Sequence, residues 1–247
     1  MTEVSAAVRS DLAPTGRMRV GLNLANYLLV GNDPASGNPR GIAVDLAREL
    51  GRRAGVEVEF IGFDSPGKMA DAVKAGAWDI GFLAAEPSRG DAFEFTAAYL
   101  EVEATYLVPP GSVLSAIDDV DRDGVRICVY ENSAYDLFLS RTIKRAKLVR
   151  AGSISASYER FVADNLDALA GLRPRLVVDA EKLPGSRVLK GRFTAIQQAI
   201  GIPKGREAGT RYLRDFVEDI KATGLVAEAI KRHGVRGVSV APGAPIR

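Results

Sequence analysis

The first part of the chain alternates between short apolar runs and amphipathic stretches. The runs at 18–23, 56–61 and 78–83 predict strands, and the second is half-buried because hydrophobic and glutamate positions alternate in it. The stretch 41–55 predicts a helix that ends at Gly55, and 67–75 predicts a shorter helix. One apolar stripe of 41–55 recurs at helical spacing: Ala43, Ala47, Leu50 and Ala54. This β-α-β-α-β order favours a largely parallel sheet covered by helices.

A second β-α alternation follows an extended, proline-terminated stretch at 99–109. Strands are predicted at three places: 125–130, 146–150 and 175–178. Helices are predicted at about 133–144 and from Ser153 onward, the latter with three apolar side chains on one face: Phe161, Val162 and Leu169. Two β-α sets separated by an extended stretch indicate two lobes.

The end of the chain returns to helix. An extended run at 197–203 precedes a helix that ends at Gly224 and a short helix over 225–233. We expect residues 1–17 to be a loose lead-in and the tail after Val235 to fray, since both are polar or rich in Pro and Gly.

Composition excludes several classes of function. Of 247 residues, 47% are hydrophobic and 26% are charged, which is enough apolar material for a core. The net charge of +2 gives no argument for nucleic-acid binding. A single cysteine, Cys128, excludes an internal disulfide, and a single histidine, His233, excludes a histidine-rich metal centre. No nucleotide-binding glycine fingerprint is present. We therefore expect no cofactor and no metal.

Targeting signals are not visible in the sequence. No apolar stretch approaches the roughly 18–20 residues of a membrane span. The N-terminus lacks a basic start and an apolar segment of about 7–15 residues, so we expect no intact secretory signal in this chain. Either the protein stays in the cytoplasm, or a signal was removed or replaced.

Six segments, in order over about residues 18–234, resemble type 2 solute-binding proteins of the polar amino acid ABC-uptake family, which share their fold with glutamate-receptor ligand-binding domains. They are GIAVDLARELGRRAG, KMADAVKAGAWDIGF, EPSRGDAFEFTAAYLE, GVRICVYENSAYDLFL, RLVVDAEKL and AIGIPKGREAGTRYLRDFVEDIKATGLVAEAIKRHG. The resemblance implies an α/β, two-lobed type 2 periplasmic-binding-protein fold with two hinge strands. It implies lobe 1 at 18–108, lobe 2 at 109–196, and a return to lobe 1 at 197–247. Ligand would bind in the cleft, and the lobes would close around it.

The resemblance also implies three principal ligand contacts. Arg89 matches the loop arginine that holds the ligand carboxylate, a role suited to the planar guanidinium fork, and we expect its loop to be exposed. Ser133 matches the hydroxyl residue at the helix start of the second lobe, where anions settle. Asp179 matches the acid that pairs with a ligand ammonium, and Glu181 is a second candidate. The alternatives are a solvated surface arginine, a serine that caps only its own helix, and an aspartate that caps a turn.

Further ligand contacts are expected around these three. Asn23 ends the first strand, where the family often has an acid, and Tyr27 follows it on the cleft-side loop together with Asn26. Before Arg89, the family's small hydroxyl positions are occupied by Ala84, Ala85 and Glu86, so this edge would contribute through backbone N–H groups or through Glu86. Asn132 replaces the family's usual glycine before Ser133, and asparagine tolerates unusual backbone angles. Tyr27 has a partly buried loop aromatic as its alternative, and Trp78 is expected in the core rather than at the ligand.

The sequence therefore favours a binding protein that captures a small carboxylated ligand, an amino acid or related organic acid, for ABC-type uptake. No covalent chemistry is needed. The resemblance implies a periplasmic location for the protein and an ABC permease as its partner. One alternative is an enzyme on the same scaffold, resembling cyclohexadienyl dehydratases, with Asp179 and Glu181 as proton donors. Another is a cytoplasmic solute sensor without a permease.

Overall fold

A computed structural model describes residues 4–244 of the chain. The α-helices in this range are α1 (Ala6–Leu12), α2 (Ile42–Ala54), α3 (Pro66–Ala72), α4 (Ala134–Thr142), α5 (Ile154–Ala163), α6 (Arg173–Glu181), α7 (Glu207–Ala222) and α8 (Leu225–Arg232). The strands are β1 (Arg17–Asn23), β2 (Gly31–Asn32), β3 (Pro39–Arg40), β4 (Glu57–Phe63), β5 (Ile80–Ala84), β6 (Phe93–Phe95), β7 (Leu100–Val108), β8 (Arg126–Tyr130), β9 (Lys147–Ala151), β10 (Ala168–Leu172), β11 (Arg187–Val188), β12 (Thr194–Pro203) and β13 (Val238–Val240). None of the described helices is both long and apolar enough to cross a lipid bilayer.

The chain forms two compact units. Unit 1 comprises residues 1–101 and 197–247, and unit 2 comprises 102–196. Strands β7 and β12 each begin in one unit and continue into the other, so the chain passes twice between them. The two units divide at 101/102, within β7, and at 196/197, within β12, while the sequence-based lobe boundaries at 108/109 and 196/197 stay predictions.

The sheet of unit 1 has the order β4-β1-β5-β12. Strands β4, β1 and β5 are parallel, as the alternation of strands and helices predicts, and β12 runs antiparallel to β5. Helix α2 ends at Gly55 in the left-handed conformation, and the predicted stripe of Ala43, Ala47, Leu50 and Ala54 is fully buried. Because the three strands are parallel, their carboxyl ends lie at one edge of the sheet, which is where open α/β sheets bind ligands.

Trp78 lies in the core of unit 1, as expected. Its ring is fully buried among Met69, Val73, Leu83 and Phe93, and its Nε1 donates a hydrogen bond to the Met69 carbonyl oxygen at 2.8 Å. The polar end of the indole is therefore satisfied inside the core.

The sheet of unit 2 has the order β7-β10-β8-β9. Strands β10, β8 and β9 are parallel, and β7 is antiparallel to β10. Helices α6, α4 and α5 follow the carboxyl ends of these three strands, so three helix N-termini lie at one edge of this sheet as well. Cys128 is fully buried in this unit, beside Phe161 and Leu176.

The strand predicted at 175–178 is wrong, because these residues form the middle of helix α6. Pro174 lies in the first turn of the helix, where its fixed φ and missing N–H favour helix. Val177 and Val178 are about half exposed, unlike the residues of a central strand. The strand lies earlier, at β10, so Leu169 belongs to it rather than to the preceding helix; Asn165, at φ +46°, follows the end of that helix.

Two further expectations at the chain ends are corrected. The lead-in contains helix α1, whose Leu12 is fully buried and whose Asp11 carboxylate accepts a hydrogen bond from the Gly209 N–H at 2.9 Å. This bond satisfies a donor in the first turn of α7. The tail forms β13, and the Ala241 N–H donates to the Tyr99 carbonyl at 3.2 Å. The terminal residues 1–3 and 245–247 lie outside the described range.

Candidate functional site

The carboxyl edge of the unit 1 sheet gathers most of the unit 1 residues that the sequence singled out. Asn23 is the last residue of β1, and Ala84 is the last residue of β5. Residues 24–30 follow β1, and residues 85–89 follow β5, so both connecting segments start from the same edge. The unit 1 candidates are therefore carried on neighbouring parallel strands.

Arg89 itself is buried at this edge, although Pro87 and Ser88 before it are exposed, as expected for this loop. It ends a 3₁₀ turn over Pro87–Arg89 and is only 7% exposed. Its Nη1 donates a hydrogen bond to the Ala84 carbonyl oxygen at 3.1 Å. Burial lowers the pKa of Arg89 to about 10, and the nearby charges of Glu86 and Asp71 only partly oppose this shift. The guanidinium therefore lies in an environment that a further anion would stabilise.

The other predicted contacts of unit 1 differ in accessibility. Tyr27 is 47% exposed, and the Asn23 side-chain oxygen accepts a hydrogen bond from the Ala25 N–H at 3.2 Å. Ala84 is buried, and the Ala85 N–H donates to the Gln197 carbonyl at 2.8 Å, which extends the pairing of β5 with β12. The Ala85 backbone donor is thus already used within the sheet.

Sequence reasoning missed one buried polar residue of this edge, Gln198. It lies on β12 directly opposite Ala84 and is 3% exposed. Its side-chain Oε1 has no hydrogen-bond partner among the described residues. A signal was available, because Ile196, Gln198 and Ile200 fall on one face of an extended run and the glutamine interrupts an apolar row.

The corresponding edge of unit 2 carries Ser133 and Asn132. Ser133 is 4% exposed and is the N-cap of α4, with its Oγ accepting the Asp136 N–H at 3.1 Å. Asn132 adopts φ +58°, and its N–H donates to the Asp136 carboxylate at 2.9 Å. Asp136 is 2% exposed and also binds the Arg150 Nε at 3.1 Å. Ser133 therefore caps its own helix at the carboxyl end of β8.

Asp179 does not lie at the end of a strand. It is 1% exposed in helix α6, where its two oxygens are bound by the Arg175 Nε at 2.8 Å and the Lys182 Nζ at 3.1 Å. The residue that ends the strand β10 is Leu172, which carries no charge. Glu181 is exposed on the same helix. The carboxylate of Asp179 thus has two cationic partners close in sequence: Arg175 lies in the same helix, and Lys182 directly follows it.

The single histidine of the chain, His233, has a structural position. It is the C-cap of α8, and its Nε2 lies 2.9 Å from the Asp45 carboxylate on α2, so it links two helices of unit 1. Among the described residues, no group of three or more His, Cys, Asp and Glu side chains is arranged to hold a metal ion.

Comparison with known proteins gives one family match and many similar folds. A family model described as bacterial extracellular solute-binding proteins, family 3, matches residues 19–235. No curated protein sequence matches the chain.

Solved structures share the fold at low identity. The solute receptor for L-cysteine of Neisseria gonorrhoeae is 19% identical with a TM-score of 0.75, covering 94% of this chain and 96% of its own. An amino acid ABC transporter substrate-binding protein of Streptococcus pneumoniae, bound to L-arginine, is 16% identical with a TM-score of 0.72, covering 90% and 95%. An ancestral amino acid-binding protein, a precursor of cyclohexadienyl dehydratase, is 19% identical with a TM-score of 0.73, covering 92% and 99%. These similarities confirm the predicted α/β, two-lobed type 2 fold.

Proposed function

Because the chain belongs to the bacterial extracellular solute-binding proteins, family 3, we propose that it captures a small carboxylated solute, an amino acid or a related organic acid, for uptake through an ABC permease. Of the structurally similar proteins, one is described as a solute receptor for L-cysteine and another as bound to L-arginine. The single observation that carries the proposal is the buried guanidinium of Arg89 at the carboxyl edge of the unit 1 sheet.

Arg89 would hold the solute carboxylate. A guanidinium offers two parallel charge-assisted hydrogen bonds to a carboxylate, and burial strengthens such bonds by excluding water. A bound carboxylate would also offset the desolvation that lowers the pKa of Arg89. We propose that Ser133 and the N-terminus of α4 also contribute to solute binding, because a helix N-terminus carries a partial positive charge. Asn132, Asn23, Tyr27, Ala84 and Ala85 are proposed as supporting contacts.

The test is isothermal titration calorimetry against a panel of amino acids and organic acids. Arg89→Lys keeps a positive charge but loses the planar fork, and we expect it to weaken binding by about 30-fold or more, which corresponds to about 2 kcal/mol. Arg52→Gln is the matched control, since Arg52 lies on the surface of α2 and pairs with Glu49. Its Kd should stay within about twofold of wild type.

Two outcomes would overturn the proposal. One is the absence of a heat or thermal-shift response to every carboxylate in the panel. The other is unchanged affinity in Arg89→Lys when its thermal unfolding shows that the variant is folded.

The dehydratase alternative is favoured by one observation, the similarity to a precursor of cyclohexadienyl dehydratase. Its proposed proton donors argue against it, because Asp179 is ion-paired on both oxygens and Glu181 is exposed. Incubation with prephenate or arogenate, followed by detection of an aromatic product, separates the two functions. We expect no product above the background without protein.

A further inference from the structure

The side chain of Gln198 is the clearest polar group in unit 1 that the fold itself does not use. It is 3% exposed, and its Oε1 has no hydrogen-bond partner among the residues that the structure describes. Its neighbours on the same face of β12, Ile196 and Ile200, are 4% and 0% exposed. Leaving a buried polar group unpaired costs about 1–3 kcal/mol, so folding alone would favour an apolar residue here.

The position of Gln198 connects it with Arg89. Gln198 is paired directly with Ala84 across β12 and β5, and the Ala84 carbonyl oxygen accepts the hydrogen bond from the Arg89 guanidinium. Side chains of directly paired residues lie on the same face of a sheet, roughly 4.5–5.5 Å apart. Gln198 and Arg89 are therefore both linked to Ala84, the last residue of β5, one by strand pairing and the other by a hydrogen bond to its carbonyl oxygen.

The groups around this position are poorly suited to a ligand ammonium. Asn23 is neutral, and its side-chain oxygen already accepts a backbone N–H. Asn26 contributes a buried Oδ1 that is also unpaired among the described residues, and this acceptor is neutral too. The buried Glu86 interacts electrostatically with Arg89, and Asp179 is bound by two cations of unit 2. Apart from Glu86, whose charge already interacts with Arg89, the acceptors at this edge are amides, and burying an ammonium against amides carries a large desolvation cost.

We propose that Gln198 hydrogen-bonds to the solute and selects an uncharged group beside its carboxylate, so that a 2-hydroxy or 2-oxo acid binds in preference to the corresponding 2-amino acid. A carboxamide can donate to a carbonyl oxygen and both donate to and accept from a hydroxyl. This inference rests on the proposed function, since it assumes that Arg89 holds the carboxylate.

The test uses matched sets of acids that differ only at the second carbon. Calorimetry compares L-alanine, L-lactate and pyruvate; L-leucine, L-2-hydroxyisocaproate and 2-oxoisocaproate; and L-glutamate, L-2-hydroxyglutarate and 2-oxoglutarate. In the set that binds most tightly, we expect the hydroxy or oxo acid to bind at least tenfold more tightly than the amino acid. If an amino acid leads in the wild-type protein and Arg89→Lys still weakens it, this inference is overturned and the proposed function stands. If no acid binds, both are overturned.

Variants of Gln198 provide the second arm. Gln198→Met keeps the length of the side chain and removes the amide, and we expect it to weaken the preferred acid by tenfold or more. Gln198→Glu supplies the missing carboxylate and should shift the preference towards the amino acid by at least tenfold. Gln197→Met is the control, because the neighbouring Gln197 side chain bonds to the Glu101 carboxylate at 2.8 Å instead. If Gln198→Met folds and keeps the affinity and the ligand preference of the wild-type protein, the proposal is contradicted. This test does not depend on whether Gln198→Glu folds.

Discussion

Asp179 is a buried charge whose ion-pair partners are other residues of the protein, and these partners indicate its role. Its carboxylate is 1% exposed and accepts from Arg175 and Lys182, one on each oxygen. The i, i+4 spacing of Arg175 and Asp179 is the spacing at which oppositely charged side chains meet on a helix. We infer that Asp179 stabilises α6 and its packing, and does not contact the solute.

Replacing Asp179 should therefore affect stability and not binding. Asp179→Asn leaves two cations without their shared partner, so we expect the free energy of unfolding to fall by about 1–3 kcal/mol in urea denaturation. The Kd for the solute should stay within about twofold of wild type. Glu181→Gln, at an exposed position of the same helix, should change neither quantity. If Asp179→Asn is as stable as wild type but binds the solute tenfold more weakly, Asp179 contacts the solute after all.

The candidate site could be predicted from the sequence only where a residue follows a correctly placed strand. Ser133 was placed at the start of a helix after β8, and the structure has it as the N-cap of α4. Asp179 was misplaced because the apolar letters of 175–178 resemble a strand, whereas two of them are half-exposed helix positions. Gln198 interrupts an apolar row in the sequence, but that its side-chain oxygen is buried without a partner is visible only when its neighbours in space are known.

At the scale of the element, helix α2 and strand β4 pack so closely that one position requires glycine. A Cβ added to Gly51 would overlap the Cγ2 of Val58 and lie 3.0 Å from the Val56 carbonyl oxygen. Helices with a clear apolar stripe, such as α2, were predictable from the sequence, but this close approach was not. Helix α1 was missed for a related reason, because it is only seven residues long and is held by contacts with α7, far away in the sequence.

Gly51→Ala should destabilise the protein, although alanine is the better helix former. Helix propensity favours alanine by about 1 kcal/mol. Overlap with Val58 and the Val56 carbonyl should cost more, because the closely packed helix and strand can move apart only slightly. We expect a net loss of about 1–3 kcal/mol in the free energy of unfolding, measured by urea denaturation. Gly152→Ala is the control, since nothing lies within 4 Å of an added Cβ there. A stabilised Gly51→Ala variant would show that the contact between α2 and β4 relaxes freely.

At the scale of the whole molecule, each unit carries its own natural reporter. The chain has one tryptophan and one cysteine: Trp78 is buried in unit 1 and Cys128 is buried in unit 2. Burial raises the pKa of Cys128 to about 11, so the folded thiol should react very slowly with a thiol reagent at neutral pH. Labelling of Cys128 therefore reports the opening of unit 2, and Trp78 fluorescence reports the unfolding of unit 1.

These reporters test whether both units contribute to solute binding. If Arg89 of unit 1 and Ser133 of unit 2 both contribute to solute binding, solute at a hundredfold excess over Kd should stabilise both units by about 2.7 kcal/mol. We expect the Trp78 unfolding transition to shift by that free energy, and labelling of Cys128 to slow by about a hundredfold. Arg89→Lys, at the same solute concentration, should reduce both effects together. Solute protects unit 2 only if the opening of unit 2 breaks a contact with the solute. A shift of the Trp78 transition with no change in the rate of Cys128 labelling would therefore mean that unit 1 binds the solute alone.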